Sequence, residues 1–422
     1  MTQKLKELLI EHLPKQGIKS SELVTVLTMQ DVDENAKIRN SVVKELKTIK
    51  PGLTYFERGD VLVAKITPCF ENGKGARTDC LKTKIGFGST EFHVLRAADK
   101  ASPIYIYYVT KTKKFRSTLE NLMVGSAGHR RIPLESIKNY DLDVKHSYSE
   151  QVAIANVLSD TDSLIESLEK LIAKKQAIKT ATMQQLLTGK IRLPQFAKHP
   201  DGTPKGAKQS ELGEIPEDWS LVTLGSVGQF SKGSGVNKAE AHSGDIPCIR
   251  YGELYTLHHN VIRQFSSFIS RSVATSAKRL LKGDILFAGS GETKEEIGKA
   301  AALVSEIEAY AGGDIVILSP RGCDSAFLGY CLNSSEVITQ KSSLGQGDAV
   351  VHISANALSS IRVKLPNLHE EQRAISQVIS EFDEEIRVIN QRLLKAQHIK
   401  QGMMQQLLTG RIRLLQSEAV TA

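Results

Sequence analysis

The stretch Glu150–Leu193 reads EQVAIANVLSDTDSLIESLEKLIAKKQAIKTATMQQLLTGKIRL, and Glu371–Leu414 reads EQRAISQVISEFDEEIRVINQRLLKAQHIKQGMMQQLLTGRIRL. They align at a constant offset of 221 with no gap, and 22 of 44 positions are identical, so the chain carries an internal duplication. Neither copy contains proline, and apolar residues recur at three- and four-residue steps. Ile154, Val157, Leu164, Leu168, Leu171 and Ile178 mark the first copy; Ile375, Val378, Phe382, Ile386, Ile389, Leu393 and Ala396 mark the second. This predicts two helices of about 40 residues, each about 60 Å long. A stripe so narrow suits helix-to-helix pairing better than a globular core face. Ile154, Leu164, Leu168 and Leu171 are the candidate pairing residues of the first helix, and Ile386, Ile389 and Leu393 those of the second. Gly189 and Gly410 follow Gln-Gln-Leu-Leu-Thr and stop the helices, glycine being free to turn left-handed. Two near-identical helices in one polypeptide favour an intramolecular antiparallel pair, which would carry the two preceding globular segments at opposite ends.

Those globular segments repeat more faintly. Gly59-Asp60-Val61-Leu62-Val63-Ala64 is echoed by Gly283-Asp284-Ile285-Leu286-Phe287-Ala288, a turn into a buried strand. Glu91–Leu95 is echoed by Asp314–Leu318. Gly125-Ser126-Ala127-Gly128 and the following Arg131-Ile132 parallel Gly345-Gln346-Gly347-Asp348 and the following His352-Ile353. The expected fold class is therefore α+β: two mixed domains and two long paired helices, related by an internal pseudo-twofold repeat. The boundaries read 1–148 for the first domain, 149–193 for the first helix, 194–212 for a linker, 213–368 for the second domain, 369–415 for the second helix and 416–422 for a tail. Pro194, Pro200, Pro204 and Pro216 with Gly202, Gly206 and Gly213 mark Pro194–Asp218 as connector, neither strand nor helix. Trp219, the single tryptophan, is expected to anchor it to the second domain.

A length of 422 residues agrees with two domains plus connectors. No window approaches ~18 consecutive apolar residues, so no membrane span is expected and the cytoplasm is the expected location. Five cysteines without a CxxC pair argue against a disulfide scaffold or structural zinc. The net charge is +8, and residues 1–149 alone hold 25 Lys+Arg against 17 Asp+Glu. A basic surplus gathered in one half suits a polyanion such as nucleic acid, although an ordinary solvated face would carry the same charge.

The doubled EQ…QQLLTG[KR]IRL helices, the LGEIPEDWSLVTLG opening of the second half, and its GDILFA and GQG…HIS runs resemble the specificity subunit of type I restriction–modification enzymes. The resemblance spans nearly the whole chain. It implies two target recognition domains, each followed by a long helix, with the helices packed as an antiparallel coiled coil. Each recognition domain would read one half of a split site in double-stranded DNA, and the helical pair would set the gap. The implied partners are two methyltransferase subunits and, in the full complex, restriction/translocase subunits; no membrane partner is implied. The chain itself would be non-catalytic and bind no cofactor, with S-adenosylmethionine, ATP and Mg²⁺ on the partner subunits only. One departure stands out: the first half lacks a GEIPEDW-type opening, and His12–Leu27 occupies that place.

A DNA reader needs amide or guanidinium groups at base edges and further cations at phosphates. The loop Lys65–Arg77 supplies Lys65, Thr67, Asn72, Lys74 and Arg77; its bland alternative is a solvated hairpin. Arg130 and Arg131 follow the glycine-rich turn and precede an expected strand. In the second half, Gln346 and His352 take the matching place, and Lys232, Arg250 and Lys294 complete the candidates. Tyr251 and Tyr255 read more readily as core or strand-face residues. Two other functions compete. Asp284, Glu292 and Lys294 imitate the carboxylate–lysine pattern of a metal-dependent nuclease, but the first half has Asp60 and no counterpart of the Glu-Lys pair. A coiled-coil scaffold joining two protein-binding domains is the other. Gly291…Gly298-Lys299-Ala300 has the wrong glycine spacing for a phosphate loop and lacks its Ser or Thr.

Overall fold

The computed structural model describes residues 3–13, 17–126, 128–347 and 350–414. Ala127, Asp348, the tail from residue 416 and Pro14–Gln16 of the His12–Leu27 segment lie outside the described residues. The chain divides into two compact units. One combines Met1–Lys170 with Asn390–Ala422; the other is Leu171–Ile389. Helices α1 (Tyr148–Leu186) and α2 (His369–Leu407), 39 residues each, run through both. Each unit thus holds one globular half, the beginning of its own long helix, and the end of the other. No described helix is long and apolar enough to cross a membrane.

In the first unit a four-stranded sheet (order Val42–Glu45, Leu23–Leu27, Ile85–Gly88, Thr54–Glu57) accompanies a three-stranded one (Gly75–Arg77, Val61–Ala64, Phe92–Leu95). The second unit has a five-stranded sheet centred on Ile285–Ala288 and a four-stranded sheet containing Ile246–Ile249. The Gly-Asp turns expected before the central strands are present. Gly59 (φ 98°) and Gly283 (φ 96°) are left-handed. Asp60 accepts from the amide of Glu57 at 2.7 Å, and Asp284 from that of Leu281 at 2.8 Å. Both aspartates are buried, Asp60 against Arg96 and Asp284 against the Ser319 hydroxyl. Asp284 is therefore a turn residue and not a metal-site acid. Among the described residues no group of three or more His, Cys, Asp or Glu is placed to hold a metal ion.

The opening of the first half lies earlier than His12–Leu27. Gln3–Lys4 pairs antiparallel with Asp141–Leu142, as Trp219–Thr223 pairs with Arg362–Pro366. The amide of Leu5 then donates to Tyr140 O, as that of Leu224 does to Ile361 O, each at 2.9 Å. The same edge exists in both halves, cut to two residues in the first. The linker needs correction too: Pro194–Phe196 is a 3-10 turn, and Ala207–Ser210 pairs with Gly213–Pro216 as a hairpin. Its proline sits at the hairpin's last residue, where it interrupts no inner pair. Trp219 is fully buried, edge-on to Phe327 at 6.5 Å, and anchors that segment as expected.

Within each unit the helix segments run antiparallel. In the first, Lys400 Nζ lies 2.6 Å from Asp162 Oδ1, and Arg413 Nε lies 2.7 Å from Glu150 Oε1. In the second, Lys179 pairs with Asp383, Lys175 with Glu385 at 2.7 Å, and Arg192 with Glu371 at 2.7–2.8 Å. The buried stripe of α1 differs from the expected one. Ile154 is buried, Leu168 is half-buried, but Leu164 and Leu171 are 52% and 39% exposed. Leu158, Ile165 and Ile172 are buried instead, at heptad spacing. On α2, Ile379 and Ala396 are buried, and Ile386, Ile389 and Leu393 are half-buried. The tandem apolar pairs Val157-Leu158, Leu164-Ile165 and Leu171-Ile172 allow either frame, and packing takes the second member.

Helix ends close the cores. Leu407 and Leu408 pack with Ile154, Leu158 and Phe115; Leu186 and Leu187 pack with Trp219, Phe327 and Ile375. Gly189 (φ 72°) and Gly410 (φ 70°) follow. A Cβ on Gly189 would meet the Pro216 ring at 2.5 Å, and one on Gly410 the Val144 side chain at 2.8 Å. These glycines are needed for both conformation and closeness.

Candidate nucleic-acid interface

In each unit the central strand runs into the loop that the sequence singles out. After Val61–Ala64 comes the loop Lys65–Lys74; after Ile285–Ala288 comes Gly289–Lys299. A neighbouring segment flanks each loop. The amide of Thr67 donates to Arg130 O at 3.0 Å, and that of Ile132 to Lys65 O at 2.9 Å. In the second unit Ser290–Gly291 pairs with Val351–His352, and the amide of Ile353 donates to Gly289 O at 3.0 Å. The glycine-rich turns are matched as expected, with Val124 bridging Arg131 and Gln346 bridging His352. The strand expected after them is reduced to a bridge in the first unit and to two residues in the second.

A buried cation holds each loop from beneath. Arg116, on helix Lys113–Glu120, donates to Phe70 O at 3.0 Å and Gly73 O at 3.4 Å and stacks on Phe70 at 4.8 Å. Lys341, on helix Ser335–Leu344, donates to Gly298 O at 2.7 Å. Phe70 O also accepts from the Gly73 amide at 3.0 Å, so Arg116 adds a second bond there and ties the loop where it folds back on itself. Burial lowers the Lys341 ammonium to about 7, with the charge of Lys299 adding to the effect. The loops are thus shaped from inside the domain.

Most candidate side chains of the first unit are held in pairs. Arg130 reaches Glu71 at 3.3 Å, Arg131 reaches Glu91 at 2.9 Å, and Thr67 donates to Glu71 at 2.7 Å. Asn72 donates to Glu34 at 3.0 Å, Lys74 to Met29 O at 3.2 Å, and Arg77 to Asp79 and, at 3.2 Å, to Ser159. Arg131 holds the Glu91 carboxyl below its usual range. Lys65 is half-buried in the field of Glu91 and His93. Arg130 and Arg131 are 38% and 46% exposed, while their partners Glu71 and Glu91 are 16% and 24% exposed. Both guanidinium groups thus reach solvent from pairs whose carboxylates are largely covered. Arg77 differs, being half-buried and 5.6 Å from the Tyr107 ring.

In the second unit the loop, Gln346 and His352 come together, with His352 Nδ1 3.0 Å from Ser290 Oγ. Lys294 is exposed on the loop, and its carbonyl accepts from Ser342 at 2.7 Å. Tyr255 donates to Ser290 O at 2.9 Å from below, and its own carbonyl accepts from Lys299 at 2.9 Å, so it supports the loop and does not face outward. Lys232 is exposed at the end of strand Gly228–Lys232, opposite Val316, which in turn faces Phe287 near the loop's root. Arg250 is half-buried at the cap of helix Tyr251–Thr256, on the other sheet.

The polar identities of the duplication have a role that apolar periodicity misses. Gln151 accepts from the amide of Ser102 at 3.1 Å, and Gln372 from that of Asp324 at 2.7 Å; both donors are helix N-caps. Tyr108 donates to Asp162 and Tyr330 to Asp383, each at 2.7 Å, with Lys400 and Lys179 each 5.8 Å from the respective ring. These bonds fasten each recognition-type half to the helix pair, and the gap-free identity of Glu, Gln, Asp, Lys and Arg was the signal for them.

Residues 216–398 match the type I restriction modification DNA specificity domain. The specificity subunit of the type I restriction enzyme EcoAI from Escherichia coli is 36% identical over 143 residues, 33% of this chain and 24% of that protein. The putative MjaX specificity subunit of Methanocaldococcus jannaschii is 26% identical over 367 residues, 84% of this chain and 79% of that one. The chain therefore spans only 24% of the length of the E. coli relative. The crystal structure of the type I restriction–modification S subunit from M. genitalium has the same fold, with a TM-score of 0.59 at 16% identity, covering 96% of this chain and 95% of that one. The resemblance drawn from the doubled helices stands.

Proposed function

We propose, on the premise that residues 216–398 belong to the type I restriction modification DNA specificity domain family, that this chain is a non-catalytic DNA-specificity subunit. Each globular half reads one half of a split duplex site, and the paired helices set the gap and dock two methyltransferase subunits. Restriction/translocase subunits join in the full complex, in the cytoplasm. S-adenosylmethionine, ATP and Mg²⁺ belong to those partner subunits. The observation that carries the reading is the double occurrence of one device: a loop fixed from beneath by Arg116 or Lys341 and bordered by a glycine turn. A reader needs an outer face that can vary over an invariant frame, which is what distinguishes the two loops here.

The contact candidates sort by their setting. Arg130 and Arg131 reach solvent and serve phosphates or a guanine edge; Lys65, Asn72, Lys74 and Thr67 line the same loop. Lys294, Gln346 and His352 act in the second half, with Lys232 and Arg250 outside its loop. The test maps adenine methylation in cells carrying this chain with its methyltransferase, followed by gel shifts on the mapped site. A split site is expected, with binding lost when its gap changes by one base pair. Equal binding to both duplexes would favour a protein scaffold and overturn the reading.

A further inference from the structure

The two units share the Tyr-Asp-Lys arrangement but finish it differently. Ser102 and Asp324 cap equivalent helices, Pro103–Lys111 and Ser325–Cys331, and Tyr108 and Tyr330 occupy the same place on them. Counting on from those tyrosines, Lys111 stands where the second half has Asn333. Asn333 is fully used, donating to Asn260 Oδ1 at 2.9 Å and to Ala300 O at 2.7 Å. Arg263 then closes the second unit over its aspartate, reaching Asp383 at 3.2 Å, Ser380 at 3.1 Å and Tyr330 at 3.3 Å. The matching residue of the first unit is Arg39: each arginine lies three residues after a left-handed residue, Ala36 (φ 56°) or Asn260 (φ 61°). Arg39 is turned instead to Asp33, at 2.6 Å from its Nε.

What the second unit closes, the first leaves open. A cleft of about 680 Å³ remains between the Asn35–Arg39 turn, helix Pro103–Lys111 and the two long helices, lined by Lys37, Lys111, Lys113 and Lys400 and by the carboxylates Asp143, Asp162 and Glu169 among others. Lys111 donates to the Tyr107 hydroxyl at 3.1 Å and lies 5.0 Å from that ring's centroid. Asp162 is shared between Lys400 and Tyr108 and leaves Lys111 without a carboxylate of its own. Among the described residues no carboxylate is bonded to this half-buried ammonium, which faces a cleft of ligand size beside two further lysines.

We propose that this cleft is an anion site, with Lys111, Lys37 and Lys400 receiving a phosphate group. It goes beyond the DNA-reading loops, since none of their candidate residues lines it. The chemistry has two sources, a free polyphosphate or nucleotide and a DNA backbone phosphate. Burial and the charge of Lys400 lower the Lys111 ammonium to about 7, so an arriving anion also restores its proton.

The experiment uses the full chain and inorganic tripolyphosphate in calorimetric titrations, repeated with ATP without Mg²⁺. Saturable binding at one site is expected, weakened at least tenfold in Lys111→Met and several-fold in Lys37→Met, largely restored in Lys111→Arg, and unchanged in Lys47→Met, a surface lysine paired with Glu45 outside the cleft. In parallel, binding to a nonspecific duplex is followed against salt. If DNA supplies the phosphate, Lys111→Met lowers the slope of log K against log salt by about one, and tripolyphosphate competes with the duplex. If a free anion is the ligand, that slope stays the same. Lys37→Met keeps the result readable should Lys111→Met fold poorly. Absence of saturable tripolyphosphate binding together with an unchanged duplex salt slope, or binding indifferent to both lysine variants, overturns the proposal.

Discussion

Arg192 grips both Glu371 and Asp218, its Nη2 2.7 Å from Glu371 Oε2 and its Nη1 2.7 Å from Asp218 Oδ1, and Glu371 is only 1% exposed. The equivalent pair, Arg413 with Glu150, has no second carboxylate, and Arg413 is 48% exposed. The last arginine of one repeat thus meets the first glutamate of the other in both units, at one buried and one open position.

That difference decides what each arginine contributes. Arg192→Met leaves Glu371 buried without its cation and is expected to cost on the order of 3 kcal/mol, the range for breaking a buried pair. Arg413→Met leaves Glu150 its bonds from the Ser147 amide and hydroxyl and is expected to cost less than the Arg192 change. Urea unfolding of the two variants checks this, and equal midpoints would refute the assignment of burial to the Arg192 pair.

The two glutamates should also respond oppositely to acid. Arg413 lowers Glu150 to about 2, so its contribution is complete above pH 4.5 and fades as pH falls towards 2. Burial raises Glu371, so the folded form holds its proton longer and stability declines as pH rises through that raised value. Glu150→Gln is expected to flatten the loss of stability between pH 4.5 and 3. Urea midpoints at those two pH values measure it.

The duplication was legible because its signal is identity, which survives any choice of register. The choice between Leu164 and Ile165 was not, since two adjacent apolar residues on a helix fit the stripe equally well and only packing selects one. Gln3–Lys4 was hidden for a different reason: two residues carry no alternation, and the strand exists through its bonds to Asp141–Leu142. The Ala207–Pro216 hairpin was masked by proline and glycine at positions a hairpin tolerates. The Gly-Asp turns were readable because a left-handed glycine and a capping aspartate state their geometry locally. Arg116 and Lys341 were unreadable as loop supports: a cation in a helix reads as solvated until its partners, carbonyls distant in sequence, are known.

Lys341 gives a test of that support. Its ammonium sits near 7 in the folded chain against about 10.5 when unfolded, so between those values the unfolded form binds more protons. Stability contributed through this group therefore rises with pH across the window, by about 1.4 kcal/mol per pH unit. Lys341→Met is expected to remove that slope while freeing Gly298 O, so the loop exchanges its amide protons faster although the fold persists. Unfolding midpoints at pH 7 and 9 and hydrogen exchange at Gly291–Gly298 check both parts. An unchanged slope would mean that Lys341 does not titrate in the buried position.

The helix pair sets the most specific expectation. Leu158, Ile165 and Ile172 recur every seven residues on α1, as do Ile379, Ile386 and Leu393 on α2. An insertion of four residues in one helix advances its stripe by about 40° and turns the seam away from its partner. Seven residues inserted after Lys170 and seven after Ile389 keep the stripe aligned and lengthen both helices by about 10.5 Å. At 3.4 Å per base pair this corresponds to about three base pairs. Methylation mapped in cells carrying the double insertion is expected to show the same two half-sites with the gap widened by about three. A gap that stays unchanged in a folded, methylation-competent variant would mean that the helices hold the halves together without measuring the distance between them.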